Sequence, residues 1–407
     1  MSVDSECTIS ARWLFPVASP PLDRGTITVR EDRILSLNPH GERTPDLDLG
    51  NVALLPGLVN AHTHLDLSGL RNTTPPDPSF TDWLRLIVAS RFQRSAEQVQ
   101  IDIQTGLDEA LKFGTTLIGD ISAGGASWEK LVAAPMWAVV YRELIGLPME
   151  RASSSLADAI IWLVMNPSTD TCRAGLSPHA PYSARVTLFR RIADLVKEAP
   201  IPVVSHIGET LDELHLIGER GGPFVPFLMD LGVYDPEGLV ETFEELLMMF
   251  DGNPTFGIAH GNYLEAAVSS ERLQSFTRIY CPRTHAAFGH PPYPLSAKNQ
   301  FVLGTDSLAS NPDLDVFAEA QFVAGRYPFL SGAKLLEMCT KNGAELLGFG
   351  DLTGTLEPGK SADLVAIPLP DLAITDPHAL LFNPFVELGA ERRTMFRGKW
   401  RTNVTSS

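Results

Sequence analysis

The chain has 407 residues, of which 44% are hydrophobic and 20% charged, so it can build a large core and is not mainly disordered. Lys plus Arg number 32 against 49 Asp plus Glu. The resulting net charge of −17 opposes nucleic acid and anionic membrane as partners, but not a small molecule read inside a pocket.

From Thr8 to about Leu55 the pattern is one of short strands, with Glu31-Asp-Arg33 as a turn. The texture then changes to apolar strand-like runs alternating with longer amphipathic segments, the pattern of βα units and a parallel sheet. Eight runs can be counted, at 52–64, 116–122, 136–145, 174–179, 203–208, 255–260, 277–281 and 301–306. Helices are predicted over 83–113, 154–165, 184–197, 239–250 and 333–347. Short strands return after Leu352, and Met395 to Trp400 reads as a hairpin. The predicted architecture is an α/β (β/α)₈ TIM barrel over 56–351, with a small β-sandwich composed of 1–55 and 352–407. The first twelve residues are polar and carry no apolar leader pattern, and no run is long enough to span a bilayer. The four cysteines are scattered without a CxxC pair, which fits a reducing, cytoplasmic setting.

The histidines fall where barrel chemistry is expected, at the C-terminal ends of strands. His62 and His64 end the first run, His179 the fourth and His260 the sixth. His206 lies near the end of the fifth, His285 just past the seventh, and Asp306 ends the eighth. His40, His215 and His378 lack that placement and read as surface residues. On a strand, residues i and i+2 share a face, so His62 and His64 can grip one ion. With His206 and Asp306 they form a four-ligand set for one divalent metal, water being the fifth. Zn²⁺, Fe²⁺ and Mn²⁺ all suit these donors.

The segment Leu54-Leu-Pro-Gly-Leu-Val-Asn-Ala-His-Thr-His64 resembles the opening strand of the amidohydrolase superfamily. Leu303-Gly-Thr-Asp306 resembles its last barrel strand, and Gly354 to Asp363 its return into the sandwich. The fourth run has no lysine to bridge two metals, and Ser205-His206-Ile-Gly-Glu209 is similar to the His-x-x-Glu motif of the one-metal deaminase branch. Pro178-His179-Ala-Pro-Tyr182-Ser183 also resembles that branch. The resemblance implies a hydrolytic deaminase in which metal-activated water attacks a heterocycle. Glu209 would shuttle a proton, His260 would hold the nucleophile, Asp306 would take the second proton and His179 would contact substrate. It also implies a homodimer.

Trp83, in Thr81-Asp-Trp83-Leu84, lines the substrate entrance in that branch, although plain helix core explains it equally. Glu143 either binds a polar substrate edge or pairs with Arg142. Ser307 stands where nucleoside deaminases often carry glycine, and Cys281-Pro-Arg283-Thr-His285…His290 departs from the common strand-seven pattern. Arg283, His285 and His290 suggest a substrate with an anionic or hydroxyl-rich tail, or else a loop packed by its own polar contacts. The segment is similar to aminodeoxyfutalosine-deaminase-like members, which implies an adenine nucleoside of the menaquinone pathway as substrate. Thiomethyladenosine, adenosylhomocysteine or guanine deamination and triazine dechlorination are the alternatives. A catalytically dead scaffold is a third class, opposed by the complete set of polar residues.

Overall fold

The computed structural model describes residues 6–77, 79–296, 300–389 and 391–401. Residues 1–5 and 402–407, the ends of the two segments predicted to form the sandwich, lie outside the described residues.

Eight parallel strands form one sheet in sequence order. They are β1 (Leu58–Thr63), β2 (Thr115–Ser122), β3 (Trp137–Leu144) and β4 (Cys172–Pro178), followed by β5 (Val203–Ile207), β6 (Phe256–His260), β7 (Thr277–Tyr280) and β8 (Phe301–Leu303). The sheet closes where Thr63 pairs in parallel with Asp306. The Thr305 and Asp306 amides donate to the His62 carbonyl at 3.2 and 3.0 Å. Asn60 and Thr305 exchange two further bonds across the same seam, at 2.8 and 3.0 Å. Gly304 is required here, because a Cβ would lie 2.7 Å from that of His62.

The predicted first run divides between two sheets. Val52–Pro56 pairs antiparallel with Leu364–Pro368 in a six-stranded terminal sheet, and only β1 enters the barrel. Gly57 makes the step; a Cβ there would sit 2.0 Å from the Thr116 hydroxyl. A four-stranded sheet built from Glu6–Ser10, Thr26–Arg30, Arg33–Asn38 and Leu47–Asp48 completes the terminal unit. Ile9, Ile27, Ile34, Leu54, Leu364 and Met395 pack together between the two sheets. Flanking both ends of the barrel sequence with strands thus forms a sandwich, because each sheet has one apolar face to bury.

Three predicted helices are shorter than their apolar patterns. The 83–113 stretch is two helices, α1 (Phe80–Gln93) and α2 (Ala96–Lys112). Ser95 caps the second by accepting from the Gln98 amide at 3.1 Å. Extended Arg94 turns inward to Asp102, 2.9 Å away, and to the Asp66 carbonyl. The 333–347 stretch breaks into Gly332–Met338 and Lys341–Leu346, since the Cys339 carbonyl is taken by the Val59 amide of β1 at 2.9 Å. In 239–250 only Phe243–Met248 is α-helical, starting at the Thr242 cap. His378 is not a free surface residue: it is half-buried, with its ring 5.3 Å from that of Phe15. Among the described residues no helix is long and apolar enough to cross a membrane.

Arg392, just before the strand Arg393–Phe396, is 2% exposed and donates to both oxygens of fully buried Asp315 at 2.7 and 2.6 Å. Asp315 in turn caps Val316–Arg326 by accepting from Phe317 and Ala318. Arg392→Met leaves that carboxylate buried without its partner. A loss of about 3–5 kcal/mol in the unfolding free energy is expected by denaturant titration.

Candidate active site

The strand ends of β1, β5 and β6 and the residue three past β8 bring His62, His64, His206, His260 and Asp306 together. His62, His206 and His260 each offer a ring nitrogen within 4.8 Å of the others, as do donor atoms of His62, His64 and Asp306. The His64 and His206 Nε2 atoms are 3.2 Å apart, and Asp306 Oδ1 lies 3.8 Å from His62 Nε2 and 3.6 Å from His64 Nε2. All five residues are buried. Burial, then the neighbouring imidazoles, lowers His62, His64 and His260 well below the usual histidine value, and His206 is lowered to about 3, first by burial. The rings are therefore neutral at physiological pH, which is the state that ligates metals. Both ring nitrogens of His62 and the Nδ1 of His64 have no hydrogen-bond partner among the described residues. Buried polar atoms are rarely left so, and the Nε2 atoms of His62 and His64, which face Asp306, are the ones a divalent cation would take. The set fits an ion.

Two strand ends carry backbone strain. His260 has φ +65° and Asp306 φ +60°. Left-handed conformations at non-glycine residues cost about 1–3 kcal/mol and collect at functional sites.

Glu209 follows β5 and Gly208, whose φ of +66° turns the chain. Its Oε1 is 3.5 Å from His260 Nε2. Burial, then Asp306 and Glu213, raises its pKa well above the usual carboxylate value. Burial likewise pushes Asp306 up to about 7. The turn is pinned by Glu213, whose carboxylate accepts from the Gly208 and Glu209 amides at 3.0 and 2.9 Å. Asn262 holds the Glu209 carbonyl at 2.9 Å. His179 stands beside His206, ring centroids 4.8 Å apart, and its Nδ1 bonds Ser183 at 2.6 Å.

Above these groups a pocket is lined by His64, His179, His206, Glu209, His260, Asp306 and Ser307 on one side and by Phe80, Trp83, Ile87 and Arg91 of α1 on the other. Trp83 both lines the pocket and packs in the helix wall, against Phe80 and Phe288, with its Nε1 bonded to the Thr74 carbonyl. The Glu143 carboxylate does not pair with Arg142, whose guanidinium donates to the Glu143 backbone carbonyl at 3.4 Å. Its Oε2 accepts from Arg91 at 2.7 Å, and its Oε1 lies 3.7 Å from His179 Nε2.

Four predicted substrate contacts lie outside the pocket lining: Glu143, paired with Arg91, and Arg283, His285 and His290. Arg283 is held by Glu319 at 2.7 Å and Asp313 at 2.6 Å and does not line the pocket. His285 bonds the Pro291 carbonyl at 2.7 Å, and His290 the Tyr263 hydroxyl at 3.0 Å. Only the His285 contact lies within the loop; Arg283 and His290 are held from outside it, by Asp313 and Glu319 and by Tyr263. Arg91 and Tyr182, which also line the pocket, are the residues that sequence reasoning missed. Trp83, Ile87 and Arg91 recur at helical spacing, a signal that could have found the arginine.

A model described as the amidohydrolase family matches residues 53–401. The chain belongs to the amidohydrolase family and is a hydrolase of carbon–nitrogen bonds. It is 27% identical over 398 residues to a 5-methylthioadenosine/S-adenosylhomocysteine deaminase of Saccharophagus degradans, across 90% of this chain and 84% of the relative. Aminofutalosine deaminase of Helicobacter pylori, in complex with methylthio-coformycin, has the same fold at a TM-score of 0.83 and 22% identity, covering 97% of this chain and all (100%) of that one. So does an adenosine deaminase of Xanthomonas campestris with bound zinc, at 0.78 and 23%, covering 97% and 92%.

Burial acts to raise the Glu143 pKa, but Arg91 and then His179 outweigh it and hold the carboxyl at about 2, below its usual 4.5. The stabilisation this gives is present above pH 4.5 and is lost as pH falls toward 2. Arg91→Met should therefore lower the urea midpoint more at about pH 7 than at about pH 3. Equal losses at both would contradict the pairing.

Proposed function

We propose that the chain is a metal-dependent hydrolytic deaminase of an adenine nucleoside. The observation that supports this most is the convergence of His62, His64, His206 and Asp306 around orphaned ring nitrogens, with Glu209 and His260 facing each other 3.5 Å apart at the pocket floor. A divalent ion held by the first four side chains supplies Lewis acidity and makes water nucleophilic near neutral pH.

The remaining chemistry belongs to the chain's own groups. Water adds its oxygen to the amine-bearing ring carbon, the carbon–nitrogen bond breaks, and ammonia leaves with the lactam as co-product. Glu209 carries one proton from water to the adjacent ring nitrogen. The carboxylate suits a shuttle because burial raises its proton affinity, which makes it a stronger base toward water. Asp306 accepts the second proton and returns it to the departing amine. His260, neutral and fixed by its strained backbone, hydrogen-bonds the attacking oxygen. His179 contacts the heterocycle, oriented by Ser183. The α1 wall excludes water and stacks the base against Trp83 and Phe80.

The identity of the substrate tail is a finer proposal. Aminodeoxyfutalosine, with its carboxylate, was favoured by Arg283, and that guanidinium is occupied by Asp313 and Glu319. The curated relative is named for thioether nucleosides, so 5-methylthioadenosine and S-adenosylhomocysteine stand beside aminodeoxyfutalosine. A homodimer with zinc is proposed as the working form.

The test is ammonia release from these three nucleosides, adenosine and guanine by zinc-loaded protein, with chloride release from a chlorotriazine in parallel. Deamination of at least one adenine nucleoside is expected, and Glu209→Gln should lower kcat by ~10²–10⁴ with metal content unchanged. Chloride release with no ammonia from any nucleoside would overturn the reading in favour of a halide-displacing hydrolase.

A further inference from the structure

Asp120, near the end of β2, is fully buried and is the next acidic group behind the metal-ligand strand. Its Oδ1 accepts from the Leu65 amide at 2.8 Å and shares the Thr63 hydroxyl with the Gly119 carbonyl, each 3.2 Å from that hydroxyl. Its Oδ2 accepts from the Ser127 hydroxyl at 2.6 Å. Ser127 is held in turn by Ser122, hydroxyl to hydroxyl at 2.9 Å and amide to hydroxyl at 3.0 Å. Residues 63 and 65 flank His64, so one carboxylate grips the backbone on one side of this ligand and a side chain on the other. The imidazole itself has no hydrogen bond at Nδ1 among the described residues, so its aim depends on how residues 63–65 are held. Thr63 is also the residue that bridges to Asp306 across the barrel seam.

No salt bridge to Asp120 occurs among the described residues. A buried carboxylate held only by neutral donors is costly, and an amide or apolar residue would serve packing alone. Burial pushes the Asp120 pKa up to about 7, and a cation at the neighbouring histidine cluster would favour the ionised carboxylate.

We propose that Asp120 is a positioning residue for the metal centre, which aims His64 through Thr63 and Leu65 and supplies a negative charge behind the ion. This rests on the one-metal reading above. Outer partners of metal ligands change affinity by ~10–100-fold when removed.

The experiment is a zinc-binding titration against a chromogenic chelator, carried out on the full chain after the folded state has been verified by circular dichroism. Asp120→Asn presents an amide N–H to donors and should weaken zinc binding by ~10-fold or more, and reduce the rise in Tm that zinc produces in the wild type. A residue with a purely structural role would lower the Tm of the metal-free protein and leave the zinc dissociation constant alone. Wild-type affinity in folded Asp120→Asn overturns the proposal. If Asp120→Asn does not fold, Ser127→Ala and Thr63→Val decide: each removes one donor, and each should weaken zinc by a few-fold, whereas wild-type affinity in both overturns it. A wild-type protein that binds no zinc would overturn the one-metal reading itself, and this inference with it.

Discussion

Closure of the barrel between β1 and β8 is the constraint on which the site depends. Two histidines near one end of the barrel sequence and an aspartate near the other meet only because the Thr305 and Asp306 amides dock on the His62 carbonyl. Gly304 permits the approach, Asn60 and Thr305 lock it, and Thr63 completes the parallel pairing with Asp306. Every other contribution is then set by the sequence order of the strands. A parallel barrel places all eight strand C-termini on one rim, so groups from β4, β5 and β6 arrive at the same face without further design.

Electrostatics explains the state of these groups. Burial disfavours charge on imidazole and carboxyl alike, so the histidines are neutral and Glu209 and Asp306 tend to hold protons. Neutral imidazoles bind a cation, and a carboxyl whose pKa is raised can exchange a proton in the neutral range. A cation entering the cluster would favour the ionised form of Asp306, the form that ligates it. The backbone strain at His260 and Asp306 has the same logic: the fold holds two functional side chains where relaxed strands would not.

Much of this was legible in the sequence. The His62-Thr-His64 spacing follows from strand periodicity, Asp306 from its place at a strand end and Glu209 from a resemblance to the His-x-x-Glu motif, and the structure brings them together. The helical boundaries were less legible. Apolar periodicity runs straight through Arg94–Ser95 and Cys339–Thr340, and the breaks come from tertiary hydrogen bonds to Asp102 and Val59. The pairing of Arg91 with Glu143 was hidden for the same reason, since residues 52 positions apart meet only when α1 folds over the rim. The partners of Arg283 were hidden too, since Asp313 and Glu319 lie beyond the last barrel strand.

The central claim is a single ion held by four named side chains. Crystals of the zinc-loaded protein, measured at the zinc absorption edge, test it most directly. The account predicts one anomalous peak per chain, with His62, His64, His206 and Asp306 donor atoms about 2.0–2.2 Å away and Glu209 outside that distance. Two peaks, or one peak held by other residues, would contradict it.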